Sequence, residues 1–103
     1  MLKKVRGDRL GTVEVTFELT PGVAARSAAV VGEFNEWSVD ANPMQRGDDG
    51  VFRATVEMEL GRQYRFRYVL DGVQWINAWD ADDYAPNDHG GDDSVVRTDD
   101  VGD

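Results

Sequence analysis

The sequence predicts an all-β protein, an antiparallel two-layer sandwich, and three observations lead to this prediction. Short apolar runs alternate with polar residues at a period of two, glycines and other turn formers separate these runs at hairpin spacing, and no stretch has the period of a helix. The length of 103 residues suits one domain with one core. We therefore expect a single domain over residues 1–103.

Seven segments have strand character and are bounded by turn signals. They are 12–19, 28–32, 44–46, 51–58, 63–70, 73–76 and 94–97. The first is the clearest, since apolar and polar side chains alternate along all of it. Glycine, proline and aspartate at 20–22, 47–50 and 71–72 are typical of the turns that end strands. Short strands at this spacing indicate a sandwich of immunoglobulin-like type.

The same alternation predicts which side chains fill the core. Eight are expected to be largely buried between the layers: Val13, Val15, Phe17, Val30, Phe52, Val56, Phe66 and Tyr68. In the segment 63–70, Arg65, Arg67 and Val69 are expected on the opposite face. Residues 77–93 are rich in Asp, Asn, Pro and Gly and are predicted to form a loop.

The net charge of the chain limits the kinds of molecule that it is expected to bind. The chain has 20 acidic and 11 basic residues, a net charge of −9. A field of this sign repels phosphate, so neither nucleic acid nor an anionic membrane is expected as a partner. Only two of the cations are lysines. This pattern resembles proteins of salt-accumulating organisms, and an ordinary acidic protein is an equally good interpretation.

Composition also limits the compartment and the chemistry. The absence of cysteine excludes disulfides, thiolate zinc sites and thiol nucleophiles. No apolar run approaches the roughly 20 residues of a membrane span. No apolar stretch follows the basic residues near the start, as a secretory signal requires. We expect a cytoplasmic protein.

Aspartates are the obvious candidates for catalysis or metal binding, since six of them lie between 80 and 93. All are on one predicted loop, and a glycosidase needs two carboxyl groups on either side of one bond. Counted from Asp80, the positions that an EF-hand fills with glycine and glutamate hold Ala85 and Gly91. His89 is the only histidine, so neither a Ser-His-Asp triad nor a multi-histidine metal site has strong material. We expect no enzyme, no metal and no cofactor.

The tryptophans are the remaining candidates. Trp37 lies in a polar turn beyond the segment 28–32, and Trp75 and Trp79 follow the turn at 71–72. A tryptophan is usually packed in the core of a protein. The polar residues next to these three tryptophans in the sequence favour exposure to solvent instead. A flat indole suits the apolar face of a pyranose ring. Two indoles at an angle would fit a curved α-1,4-glucan better than a flat β-glucan.

Three segments together resemble the family 48 carbohydrate-binding modules. They are 30–37 (VVGEFNEW), 64–75 (YRFRYVLDGVQW) and 87–96 (NDHGGDDSVV). Such early-set domains occur at the N-terminal side of isoamylases and glycogen-branching enzymes, and as the glycogen-binding domain of AMP-activated protein kinase β subunits. The similarity covers about residues 12–97.

The resemblance implies an immunoglobulin-like early-set domain that binds α-glucans, such as glycogen, starch or malto-oligosaccharides, without catalysis. Trp37 matches the first stacking tryptophan of the family and Trp75 the second. Trp75 comes one residue later after the turn than in the kinase subunits, so Trp79 is an alternative second platform. Arg67 stands where those subunits have a sugar-contacting lysine. Asp93 falls near a sugar-bonding asparagine, although a carboxylate accepts hydrogen bonds and cannot donate them.

The alternative function is a protein-interaction module that docks on an enzyme of glycogen metabolism or on a kinase. It predicts that Trp37 and Trp75 are partly buried by packing or by a partner. Exposure of the indoles on one surface is therefore the observation that separates the two hypotheses.

Overall fold

The strands of the protein were located in a computed structural model, which describes residues 2–19, 23–79, 81–87 and 90–99. Nine strands occur in this part of the chain: β1 (Lys3–Arg6), β2 (Thr12–Glu18), β3 (Ala28–Gly32), β4 (Gln45–Arg46), β5 (Phe52–Glu59), β6 (Gln63–Leu70), β7 (Gln74–Ile76), β8 (Asp83–Pro86) and β9 (Asp92–Arg97). A 3-10 turn at Glu33–Asn35 follows β3. No helix within the described ranges is long and apolar enough to cross a membrane.

The strands form two antiparallel sheets, as predicted. The first sheet has the order β1-β2-β5-β4, and the second has the order β3-β6-β9-β8. Strand β7 pairs with the end of β6, antiparallel to it. The turn at 47–50 joins β4 to β5, where the Gly47 amide donates to the Val51 carbonyl at 2.9 Å. The predicted antiparallel sandwich is therefore confirmed.

The core between the sheets is the one that alternation predicts. All eight side chains expected there are buried, none more than 8% exposed. Aromatic rings from both sheets meet at its centre, because Phe17 of β2 packs edge-on against Phe66 and Tyr68 of β6. Buried aromatic rings of this kind contribute large apolar areas to the stability of a small domain.

Two edge strands depart from the prediction. Residues 77–93 are not loop throughout, because β8 pairs with β9, and β9 begins at Asp92 rather than at Ser94. Strand β1 was not predicted either, and it pairs with β2 while Lys4 forms a 2.5 Å ion pair with Asp82. Both strands lie at sheet edges and are mostly exposed. Such strands do not require the alternation of apolar and polar residues that identifies a half-buried strand in a sequence.

Some sequence-based expectations fall on residues outside the described part of the chain. These are the turn at 20–22 and the acid or metal candidates Asp80, Asp88 and His89.

The outer face of the second sheet is partly covered. Val31 of β3 and Val69 of β6 point away from the core shared by the two sheets, yet their exposures are 0% and 1%. The pairing register places Val31 opposite Arg67 and Val69 opposite Trp75. Two buried apolar side chains therefore lie on this face beside Arg67 and Trp75.

Candidate functional site

The outer face of the second sheet brings several of the predicted site residues together. Arg65 and Arg67 point outward from β6, between side chains that point into the core. Trp75 shares their face, because it pairs with Val69. Asp93 lies on the neighbouring strand β9, and its carboxylate contacts both arginines. Strand register, rather than nearness in sequence, therefore assembles this group.

Trp37 reaches the same site from the turn that follows β3. Both Glu36 and Trp37 have left-handed backbone angles, with φ of 58° and 60°. The Trp37 amide donates to the carbonyl of Gly32 at 2.9 Å, which closes the turn. Residues with a side chain rarely adopt positive φ, so two in succession must be held by their surroundings.

The side chain of Asn35 supplies part of that support. Its Oδ1 accepts a hydrogen bond from the Gly32 amide at 3.0 Å, and its Nδ2 donates to the Val30 carbonyl at 3.1 Å and to Asn42 Oδ1 at 2.7 Å. Gly32 is required here for space, because a Cβ at this position would collide with the Arg65 carbonyl oxygen. Strand β3 and the turn are thus packed closely against β6.

The indoles of Trp37 and Trp75 form one angled surface. Their ring centroids are 6.5 Å apart, and their planes are inclined by 32°. Trp75 is 43% exposed, and Trp37 is partly buried. Trp75 is therefore accessible to a ligand, and Trp37 is accessible in part.

This surface is one wall of an open concavity of about 850 Å³. The lining residues are Glu33, Trp37, Arg65, Arg67, Trp75, Pro86, Asn87, Gly91 and Asp93. Four of the five predicted site residues are among them. Trp79, the fifth, is 72% exposed but is not one of the lining residues.

The polar part of the concavity is a network centred on Asp93. Its Oδ1 accepts hydrogen bonds from Arg67 Nε at 3.1 Å and from Asn87 Nδ2 at 3.2 Å. Its Oδ2 lies 3.5 Å from Arg65 Nη1. Charged hydrogen bonds of this kind hold side chains in defined orientations.

Backbone groups complete the network. Arg67 Nη2 donates to the Asp92 carbonyl at 2.8 Å, and Arg65 Nη1 donates to the Pro86 carbonyl at 3.1 Å. Glu33 accepts from the backbone amide of Arg65 at 2.7 Å. The site therefore combines an apolar aromatic wall with a floor of ordered hydrogen-bonding groups, which suits a neutral ligand that has both apolar faces and hydroxyls.

Sequence reasoning did not select Glu33, Arg65 or Asn87 as site residues. All three lie in or next to the segments that carry the family resemblance, and Arg65 shares the parity of Arg67 on β6. For Arg65, this shared parity was the signal in the sequence that could have identified it. Within the described ranges, no group of three or more His, Asp or Glu side chains is arranged to hold a metal ion.

Comparison with known proteins places the chain in a family. A stretch of 49 residues, 47% of the chain, is 43% identical to the 1,4-alpha-glucan branching enzyme GlgB of Photobacterium profundum, and the match spans 7% of that enzyme's length. Residues 22–85, more than half of the chain, match the family described as Carbohydrate-binding module 48 (Isoamylase N-terminal domain). This match includes the segments 30–37 and 64–75, while the segment 87–96 lies beyond it. The match confirms the family resemblance, and the chain belongs to this family of carbohydrate-binding modules.

Proposed function

We propose that this protein binds α-glucan chains, such as glycogen, starch or malto-oligosaccharides, by stacking sugar rings on Trp37 and Trp75, and that it catalyses no reaction on them. The observation that carries the proposal is the inclined indole pair on the wall of an open, polar-floored concavity. A pyranose ring has apolar C–H faces and a rim of hydroxyls, and this site offers a complementary group for each.

The inclination of the two indoles supports an α-linked ligand. Successive rings of an α-1,4-glucan turn along a helical path, so neighbouring rings present their faces at an angle. A β-1,4-glucan is extended and flat. Two indole planes inclined by 32° match the curved path of an α-1,4-glucan better than the flat path of a β-1,4-glucan.

Trp75 is the second platform in this proposal, rather than Trp79. Trp75 lines the concavity together with Trp37, and its position on β7 is held by pairing with β6. Trp79 lies beyond the end of β7 and is not among the lining residues. A single chain of sugar rings could therefore contact Trp37 and Trp75 at once.

Arg67 supplies hydrogen bonds to sugar hydroxyls in this proposal. Its side chain is 24% exposed at the concavity, while Nε and Nη2 donate to Asp93 and to the Asp92 carbonyl. A guanidinium carries five N–H groups in a fixed plane, so one side can be anchored in the protein while another donates to ligand.

The expected affinity is weak. If each indole removes about 80 Å² of apolar surface from water, each stack contributes roughly 2 kcal/mol. A few hydroxyl hydrogen bonds add about 1 kcal/mol net apiece. Loss of translational and conformational freedom opposes binding by several kcal/mol. Short oligosaccharides should therefore bind with Kd of roughly 0.1 to a few mM, and long polymers with many sites should be retained better.

The hydrogen bonds made by the carboxylates in the concavity support the part of this proposal that excludes catalysis. Among the described lining residues, Glu33 and Asp93 carry them. Glu33 is hydrogen-bonded to a backbone amide, and Asp93 to three side-chain donors. Glycoside hydrolysis requires one carboxylic acid that donates a proton and a second carboxylate across the scissile bond. Groups held as structural acceptors do not fit these roles.

Affinity electrophoresis tests the proposal against the docking-module hypothesis. We expect native gels containing glycogen or soluble starch to retard the protein relative to a non-binding reference protein, and free maltoheptaose to restore its mobility. A soluble β-glucan should leave its mobility unchanged. Absence of retardation by any polysaccharide would refute the proposal and favour docking on an enzyme of glycogen metabolism or on a kinase. Equal retardation by both glucan types would refute the α-linkage preference.

A further inference from the structure

Asp93 lies at the base of the concavity with both carboxylate oxygens engaged. Its side chain is only 12% exposed, whereas those of Arg65 and Arg67 are 40% and 24% exposed. Oδ1 accepts from Arg67 Nε and Asn87 Nδ2, and Oδ2 faces Arg65 Nη1. Three donors, from β6 and from the segment that leads into β9, converge on one group.

The carboxylate also balances charge within the site. Arg65 and Arg67 are two positions apart on β6, so their side chains leave the same face of the sheet within roughly 7 Å of each other. Two guanidiniums at that distance repel each other in a partly buried setting. Asp93 lies between them and contacts both, which removes the main obstacle to their close placement.

Backbone acceptors hold the two guanidiniums on their other sides. Arg67 Nη2 donates to the Asp92 carbonyl at 2.8 Å, and this carbonyl also accepts from Asn77 Nδ2 at 2.6 Å. Arg65 Nη1 donates to the Pro86 carbonyl at 3.1 Å. The two arginines are thus ordered before any ligand arrives, which lowers the entropy lost on binding.

An ionised carboxylate has about four acceptor positions. Protein donors approach three of those on Asp93, and little of its surface is open to a ligand. Resting on the proposed function, we propose that Asp93 is a positioning residue, which fixes Arg65 and Arg67 as a paired donor set for adjacent sugar hydroxyls. In this arrangement the arginines contact the sugar and Asp93 does not, in contrast to the contact that the family resemblance implies for position 93.

The substitution Asp93→Asn separates the two roles. Asparagine has nearly the same shape, keeps one acceptor oxygen and gains two donors, so a direct contact with hydroxyls would survive or improve. A positioning role would be lost, because the amide removes the charge that holds the arginines together. We expect Asp93→Asn to weaken maltoheptaose binding about ten-fold, as measured by titration calorimetry.

A double-substitution cycle tests whether Asp93 acts through the arginines. In an Arg65→Gln, Arg67→Gln background, Asp93→Asn should change the affinity less than about two-fold, because the groups that it positions are gone. Full additivity of the losses would overturn the inference. Arg65→Gln alone should also weaken binding, and unchanged affinity in that variant would overturn the inference even if Asp93→Asn failed to fold.

A spectroscopic measurement completes the test. In ¹H–¹⁵N spectra of the free protein, the Nε–H resonance of Arg67 should be shifted downfield by its carboxylate acceptor, and this shift should disappear in Asp93→Asn. Wild-type affinity in a folded Asp93→Asn variant would refute the positioning role alone. Absence of maltoheptaose binding by the wild-type protein would instead refute the proposed function, so the two failures are distinguishable.

Discussion

The indole planes of Trp37 and Trp75 are inclined by 32°, with their centroids 6.5 Å apart. One ring comes from a left-handed turn after β3, and the other comes from β7, the three-residue strand that pairs with the end of β6. Val69, the pairing partner of Trp75 on β6, is buried. The surface proposed for sugar stacking therefore depends on a strained turn and on a short strand that pairs with β6.

The strain in the turn predicts an unusual response to glycine at position 36. Glu36 is exposed and has φ 58° and ψ 33°, a conformation that is unfavourable for any residue with a Cβ. Glu36→Gly should raise the free energy of unfolding by about 0.5 kcal/mol, since relief of strain exceeds the added entropy of the unfolded chain. Urea denaturation measures the change.

The matched control for that variant is Gln63→Gly, at an exposed position in the extended strand β6. There glycine relieves no strain, so it should destabilise the protein by about 0.5–1 kcal/mol. Equal destabilisation by both substitutions would show that the turn after β3 is not strained.

Acid should weaken the ion pair between Arg53 and Asp49. Arg53 donates to Asp49 Oδ2 at 2.7 Å and, together with the Val51 amide, lowers the pKa of Asp49 to about 2. A carboxyl whose pKa is depressed on folding stabilises the folded state above its unfolded pKa of about 3.9, and loses that effect as the pH falls towards 2. Asp49→Asn should therefore be less stable than the wild type at pH 6, and the difference should shrink by pH 2.5. Urea denaturation at the two pH values measures it, and a constant difference would contradict this account.

Salt should stabilise the protein. At a net charge of −9, repulsion among carboxylates opposes folding at low ionic strength, and molar salt shortens the Debye length to about 3 Å. Salt also screens exposed ion pairs such as Arg97–Asp83, but a pair of this kind contributes no more than about 1 kcal/mol. We expect the melting temperature to rise from low to molar KCl. A flat or falling trend would show that repulsion is not the dominant effect.

Much of the fold could be predicted from the sequence, because burial on one side of a strand produces an alternation that can be read directly. Val13, Val15 and Phe17 in β2 are the plainest example, since all three are fully buried. Strands β1 and β8 are stabilised by edge pairing and by contacts such as Lys4–Asp82. The contact between Lys4 and Asp82 joins segments far apart in sequence and leaves no pattern in either one.

The grouping of most candidate site residues could also be predicted. Trp37, Arg67 and Trp75 could be selected from residue type and family resemblance, and the structure places them in one concavity. Trp75 and Trp79 could not be separated by parity, because both have the same strand parity, and only the end of β7 at Ile76 distinguishes them. The engagement of Asp93 could not be foreseen, because it depends on side chains from other parts of the chain.

Binding by tryptophan variants tests the central claim most directly, with Trp79→Ala as the matched control of the same residue type outside the concavity. Trp37→Ala and Trp75→Ala should remain folded by intrinsic fluorescence, and each should lose about 2 kcal/mol of binding, roughly thirty-fold in Kd for maltoheptaose. The double variant should lose less than the sum, because the two rings support each other. Trp79→Ala should bind within about two-fold of the wild type. Wild-type affinity in folded Trp37→Ala and Trp75→Ala, or loss of binding only in Trp79→Ala, would contradict the account.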